Sequence, residues 1–231
     1  MNTPATALLS TTYFGPIQWY QKLYRYDQVL IERHETFLKQ TYRNRCLIST
    51  TQGIQALTVP VEAPSSLPEG KASDRESGKI RISDHGNWRH LHWQALQSAY
   101  GDSPFFEFYA DDLRPFFEQR WTYLFDFNEA IRQKICDLID IHPHVEYTTE
   151  YLPNNSNFKF QTSNFKLQTS NFKGLTDFRS SINPKHPAED ADFQPHRYYQ
   201  VYEQKHGFLP NLSILDLLFN MGPESILVLS K

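Results

Sequence analysis

Seven consecutive residues, Lys39-Gln40-Thr41-Tyr42-Arg43-Asn44-Arg45, concentrate more binding chemistry than any other stretch of this chain. Three permanent cations stand beside two side-chain amides and a phenol, in a protein of formal charge −3. Lys39 and Arg43 share a face whether the segment is helical or extended, and an extended chain adds Thr41 and Arg45 to it. Arginine offers a rigid fork for carboxylate or phosphate, and lysine a mobile point charge. The chemistry this predicts is a pocket for a phosphorylated or carboxylated ligand; the competing reading is a solvated basic edge.

A second cluster is Trp88-Arg89-His90-Leu91-His92-Trp93. On a helix His90 and His92 point about 200° apart and cannot share a metal ion. Trp88 and His92 do share a face, as do Arg89 and Trp93. His92 is a candidate general acid or base, its ordinary pKa of about 6.5 suiting the role. The alternative is a hydrogen-bonded histidine on a core tryptophan face. Further on, Tyr198 to Asn211 mixes tyrosines with Gln, Glu and Asn, the combination that ring faces and hydroxyls of a sugar require. There Glu203 and His206 form an acid–base pair if helical. Asp216 reads as a helix cap, paired with Ser213. No HExxH or Cys/His zinc spacing, GxGxxG or Walker loop, or GxSxG elbow is present, which argues against a metal centre and the standard nucleotide folds.

The elements that must position these groups follow from periodicity. Ala7 to Thr12 reads as a buried strand, Tyr13-Phe14-Gly15-Pro16 as a turn, and Pro16 as the first residue of a helix carrying Ile17, Tyr20 and Leu23 on one face. Gln28 to Glu32 completes an α/β unit. Cys46 to Thr50 and Ile54 to Val61 form a hairpin through Gly53, 62–78 is a surface loop, and Lys79 to Ser83 alternates like a strand. Helices are expected over Trp88 to Tyr100, ending at Gly101, over Asp111 to Trp121 with a break at Pro115, and over Asp126 to Ile141, opened by an Asp126/Glu129 capping box. Val145 to Tyr151 is a further strand, and Ser213 and Asp216 open a last helix that stops at Gly222-Pro223.

Residues 156–176 are three near-identical heptads. Their apolar positions fall at gaps of two and five, so neither a coiled coil nor a strand buries the set. A tandem duplication inserted as a surface loop accounts for them.

The 231 residues can bury a core, helped by 17 Phe and 13 Tyr. The slight acidity argues against nucleic acid as a partner. Cys46 and Cys136 suggest neither a disulfide framework nor a thiolate metal site. With no signal-peptide pattern and no apolar run of about 18 residues, the chain reads as cytoplasmic and without membrane insertion.

Taken in order, Tyr13 to Tyr20 (which includes Gln18), Lys39 to Arg45, Leu57-Thr58-Val59-Pro60-Val61, Asn87-Trp88-Arg89 and Tyr198 to Gly222 resemble the WbqC-like proteins over nearly the whole chain. The 62–78 loop and the heptads lie outside the resemblance, and Gly15 stands where many members have proline. The resemblance implies a role in surface-polysaccharide and O-antigen synthesis, building or decorating an activated sugar. The expectations are a single α/β domain over 1–231, with a mixed sheet, a helical middle section and the 156–176 insertion. It would be a transferase that N-acylates or aminoacylates a nucleotide-linked amino sugar, its acyl donor and any cofactor unspecified. Lys39, Tyr42, Arg43, Asn44, Arg45, Gln18, Trp88 and Arg89 would bind substrate, with His92 or His206 as general base. The alternative is a noncatalytic sugar-nucleotide or carbohydrate-binding component of an assembly complex.

Overall fold

Thr6–Ser10 forms strand β1, every side chain of which is buried except Ser10 at its end. A strand covered on both faces belongs inside a parallel sheet. In the computed structural model, which describes residues 5–62, 76–153 and 174–231, that sheet is present. Helix α1 (Ile17–Arg25) follows, with Pro16 as its extended cap residue, and leads to β2 (Gln28–Glu32). β1 and β2 run parallel, from Thr6 opposite Gln28 to Ser10 opposite Glu32. α1 packs on both strands and completes the expected α/β unit.

β3 (Arg45–Thr50) and β4 (Gly53–Thr58) make the expected antiparallel hairpin. The helical middle comprises α2 (Trp88–Tyr100), α3 (Phe106–Leu113), α4 (Pro115–Glu118) and α5 (Leu124–Leu138). β5 (Val145–Tyr147) then pairs with β2, and β6 (Leu175–Asp177) with β1, both parallel. α6 (Glu203–His206), α7 (Ile214–Met221) and α8 (Ser225–Leu229) close the chain. Parallel and antiparallel pairing thus coexist as anticipated, divided between a four-stranded sheet of order β5-β2-β1-β6 and the hairpin.

Aromatic side chains fill the core between the hairpin and the helices. Tyr13 stacks on Phe127 at 5.7 Å and Phe14 on Phe117 at 5.9 Å. α7 ends where expected: Gly222 has φ +55°, and a Cβ there would lie 2.6 Å from the Phe105 ring.

Several boundaries differ from the sequence reading. α5 starts two residues before Asp126, with Tyr123 at the N-cap position and no side-chain cap. Tertiary contacts set that start, through Leu124 N–H to Ile80 O (2.9 Å) and the bridge between Arg81 and Tyr123. Glu129 turns inward to Arg132 (2.7 Å) and Tyr147 (3.0 Å) instead of capping. Lys79 to Ser83 is not a strand. A 3-10 turn occupies Ser77–Lys79, and Arg81 and Ile82 bridge to different partners, Tyr123 and Val61. Gly101 does not take up the left-handed C′ role, because its φ of −53° continues the helical sense into the next turn. The expected strand over Val145 to Tyr151 stops at Tyr147, where the Thr148 side chain turns to Glu32 (2.7 Å). Most of the heptad insertion and of the 62–78 loop lies outside the described residues. The final Leu175 and Thr176 of the third heptad are strand, not loop.

Candidate functional site

Strand order locates the site. From β1 the chain passes to β2 on one side, with β5 beyond it, and later returns to place β6 on the other side of β1. The direction of winding therefore switches between β1 and β6, and in open parallel sheets ligands bind beyond the carboxyl ends of the strands at such a switch. A narrow cleft, open to solvent, lies at that position. Ser10, Thr11 and Thr12 at the end of β1, Thr41, Tyr42 and Arg43, and Arg179 and Asn183 after β6 line it, with the Trp19 ring.

Its charges are paired internally. Arg43 donates from Nε to Glu35 Oε1 (2.8 Å), from Nη2 to Glu35 Oε2 and to Ser10 Oγ (3.0 Å), and from Nη1 to Thr41 Oγ1 (3.2 Å). Ser10 Oγ in turn donates to Glu35 Oε2 at 3.1 Å. Arg179 donates to Asp177 Oδ2 (2.6 Å) and to Glu32 Oε2 (3.3 Å). Two guanidinium groups thus face three carboxylates, and the Arg43 fork is already filled by Glu35. The cleft is not the free anion fork that Lys39 to Arg45 suggested. Its uncommitted groups are neutral: the enclosed Oγ1 atoms of Thr11 and Thr12 have no hydrogen-bond partner among the described residues. The Tyr42 phenol, pushed up to about 12 by burial and by nearby Cys46, stays protonated at neutral pH. Gly15 bears on this wall, since a Cβ there would strike Thr12 Oγ1. Where proline replaces it, the hydroxyl has to turn.

The other sequence-selected residues are dispersed. Lys39 is exposed on the segment that continues to Thr41. On the facing segment, Lys185 Nζ bonds Gln40 Oε1, so cations flank the rim. Asn44 Nδ2 donates to Val59 O (2.9 Å) and Arg45 Nε to Thr58 Oγ1 (3.1 Å), both fastening the base of the hairpin. Gln18 donates to Asp190 (2.8 Å) and accepts from Asn211 (3.0 Å). Trp88 Nε1 donates to Ser83 O (3.0 Å), and Arg89 pairs with Asp84 (2.6 Å) while lying over the Trp88 ring. His206 Nε2 bonds Thr50 O (3.1 Å) at the hairpin turn, and Glu203 accepts from Arg197 (2.6 Å) rather than facing His206. Asp216 is no cap. Ser213 alone caps α7, and the Asp216 carboxylate is a buried acceptor for Tyr100 (2.8 Å) and Tyr198 (2.6 Å).

His92 is buried against Trp88 and hydrogen-bonded through Nδ1 to Tyr13 Oη at 2.9 Å, outside the cleft lining. Burial pushes its pKa down to about 4, against a hydrogen bond with the Thr58 backbone. Unfolded, the imidazole takes a proton at about pH 6.5; folded, it resists until about 4, so the unfolded chain binds more protons between these values. Stability is therefore complete above that window and falls as pH drops through it, by about 3 kcal/mol. Urea titrations between pH 4 and 7 should show this slope in the wild type and lose it in His92→Gln.

The sequence reading missed Ser10, Thr11, Thr12, Glu35, Arg179 and Asn183. Three successive hydroxyl residues at the end of a buried strand were the available signal, but only strand order shows that this end faces the switch. Among the described residues no group of His, Cys, Asp and Glu is arranged to hold a metal, and no helix is long and apolar enough to cross a membrane.

The profile of the WbqC-like protein family matches residues 11–228. A Mycobacterium tuberculosis protein described as "Uncharacterized protein Rv1507c" is 28% identical over 210 residues, covering 86% of each chain. No solved structure matches.

Proposed function

The chain belongs to the WbqC-like protein family, which is linked to O-antigen-related genes, and from that membership and the cleft chemistry we propose that it is a cytoplasmic transferase acting on an activated sugar. The reaction is N-acylation or aminoacylation of a nucleotide-linked amino sugar. The observation that carries this reading is the cleft at the β1/β6 switch. Its neutral hydroxyls from Ser10, Thr11, Thr12 and Thr41, with the Tyr42 phenol and the Trp19 ring, suit a polyhydroxylated ring better than a bare anion. The diphosphate then lies at the rim, where Lys39 and Lys185 are exposed. Glu35 accepts a hydrogen bond from Ser10 Oγ and takes up the proton of the attacking amine through that hydroxyl.

Incubation with a panel of nucleotide-linked amino sugars and acyl donors, read by mass spectrometry, tests the proposal. An added acyl or aminoacyl mass on the sugar is expected. Thr12→Val, which removes a hydroxyl without changing shape, should weaken sugar-nucleotide binding about tenfold, in line with one hydrogen bond left unmade. A noncatalytic binding component is the second reading, favoured by the positions of His92 and His206 outside the cleft lining and by the tie of Glu35 to Arg43. Saturable binding with no mass change for any donor would select it.

A further inference from the structure

α1 separates two clefts. Trp19 faces the one described above; Ile17 and Gln21, each two residues away and so about 200° around the helix, line another on the opposite side. Phe193, Pro195, Tyr198 and Phe208 wall this second cleft, with His196 and Asn211 at its edge. Among the described residues no lysine, arginine or carboxylate lines it. Tyr198 and Phe208 meet edge to face at 5.4 Å.

Most polar groups here are engaged. The Tyr198 hydroxyl is bonded to Asp216, and both ends of the Asn211 carboxamide are bonded to Gln18. Gln21 is the exception. It is 2% exposed, and its Oε1 is enclosed with no hydrogen-bond partner among the described residues. A buried carboxamide without a partner is costly on a helix that could have carried leucine at that position.

We propose that this second cleft binds a flat, neutral amide or imide whose N–H reaches Gln21 Oε1 and whose flat face packs among Phe193, Pro195 and Phe208. The unpartnered atom is an acceptor, so its complement is an N–H donor, carried by an amide or a cyclic imide. The absence of charged lining excludes a phosphate or a carboxylate as the group held there. Two sources supply this donor, a uracil-type pyrimidine base and an N-acyl substituent on a sugar. The site rests on its own residues and stands whether or not the β1/β6 cleft holds an activated sugar.

The test uses the full chain and two probes, uridine and N-acetylglucosamine, with the His196 imidazole resonances and the Gln21 side-chain amide followed by NMR. Saturable shifts with uridine assign the imide as the ligand, and shifts with N-acetylglucosamine assign the N-acyl group. Gln21→Leu should weaken the binding about tenfold or more, as expected when a buried hydrogen bond is removed. His196→Ala, at a half-buried position outside the core, provides a second variant should Gln21→Leu misfold, and should also weaken it. Thr12→Val should leave it unchanged, which separates this site from the β1/β6 cleft. No saturable shift with either probe, or equal binding by Gln21→Leu in a folded protein, overturns the proposal.

Discussion

Replacing Arg43 by alanine should cost about 3–5 kcal/mol of folding stability, the penalty for stranding one member of a buried ion pair. The side chains of Arg43 and Glu35 are only 9% and 7% exposed, and the contact is two-pronged. Without the guanidinium, Glu35 keeps the hydroxyl of Ser10 and the neighbouring charge of Arg179, a weaker setting for a buried carboxylate than the two-pronged pair. The double variant Arg43→Met/Glu35→Leu removes both charges and should recover most of that loss, because a well-packed apolar pair often matches a buried ion pair. Urea denaturation of the two single variants and the double variant closes the cycle. Additive losses would mean that the pair is not coupled. The double variant should bind sugar nucleotide poorly even when stable, since Arg43 holds Ser10 and Thr41 in the cleft wall.

Asp216→Ala should cost about 2–6 kcal/mol, since two buried tyrosine hydroxyls lose their acceptor at about 1–3 kcal/mol each. Asp216 is wholly buried, and the side-chain amide of Gln200 also reaches it at 2.9 Å. Burial raises the Asp216 pKa above the ordinary carboxylate value, and the hydrogen bonds from Tyr198, Tyr100 and Gln200 oppose that rise. The folded carboxyl thus holds its proton to higher pH than the unfolded one. Its stabilising share is complete below the ordinary value and is lost as pH rises through the raised one. Asp216→Asn keeps an acceptor oxygen for one of the two tyrosines and cannot ionise. It should lose less stability than the alanine variant and show no such decline. Denaturant titrations from pH 3 to 7 on the three proteins check both statements, and equal losses in the two variants would contradict the assigned role of the acceptor oxygens.

The two networks differ in how far the sequence announced them. Arg43 was singled out for its charge, yet its partner was not, because Glu35 lies eight positions back across a bend that no periodicity describes. Asp216 was noticed through its spacing from Ser213. That spacing is real, but it serves only the serine; the carboxylate turns toward Tyr100, which is 116 residues away. His92 was correctly placed on the face of Trp88, and the local spacing could not say that this face is interior to an aromatic core.

By itself the sequence determined the α/β unit at the N-terminus, the β3–β4 hairpin, the helix over Trp88 to Tyr100, the stop of α7 at Gly222 and the family. Each is written in short-range signals: periodicity, a proline or glycine at a turn, and motifs in order. Only the tertiary structure decided that β6 lies on the far side of β1. With it came the location of the cleft, the pairing of Arg179 with Glu32 across 147 residues, and the isolation of Gln21 on the other face of α1. Strand order and ion-pair choice depend on which distant surfaces can bury each other together. A free energy summed over the whole core fixes that choice, and no window of sequence contains it.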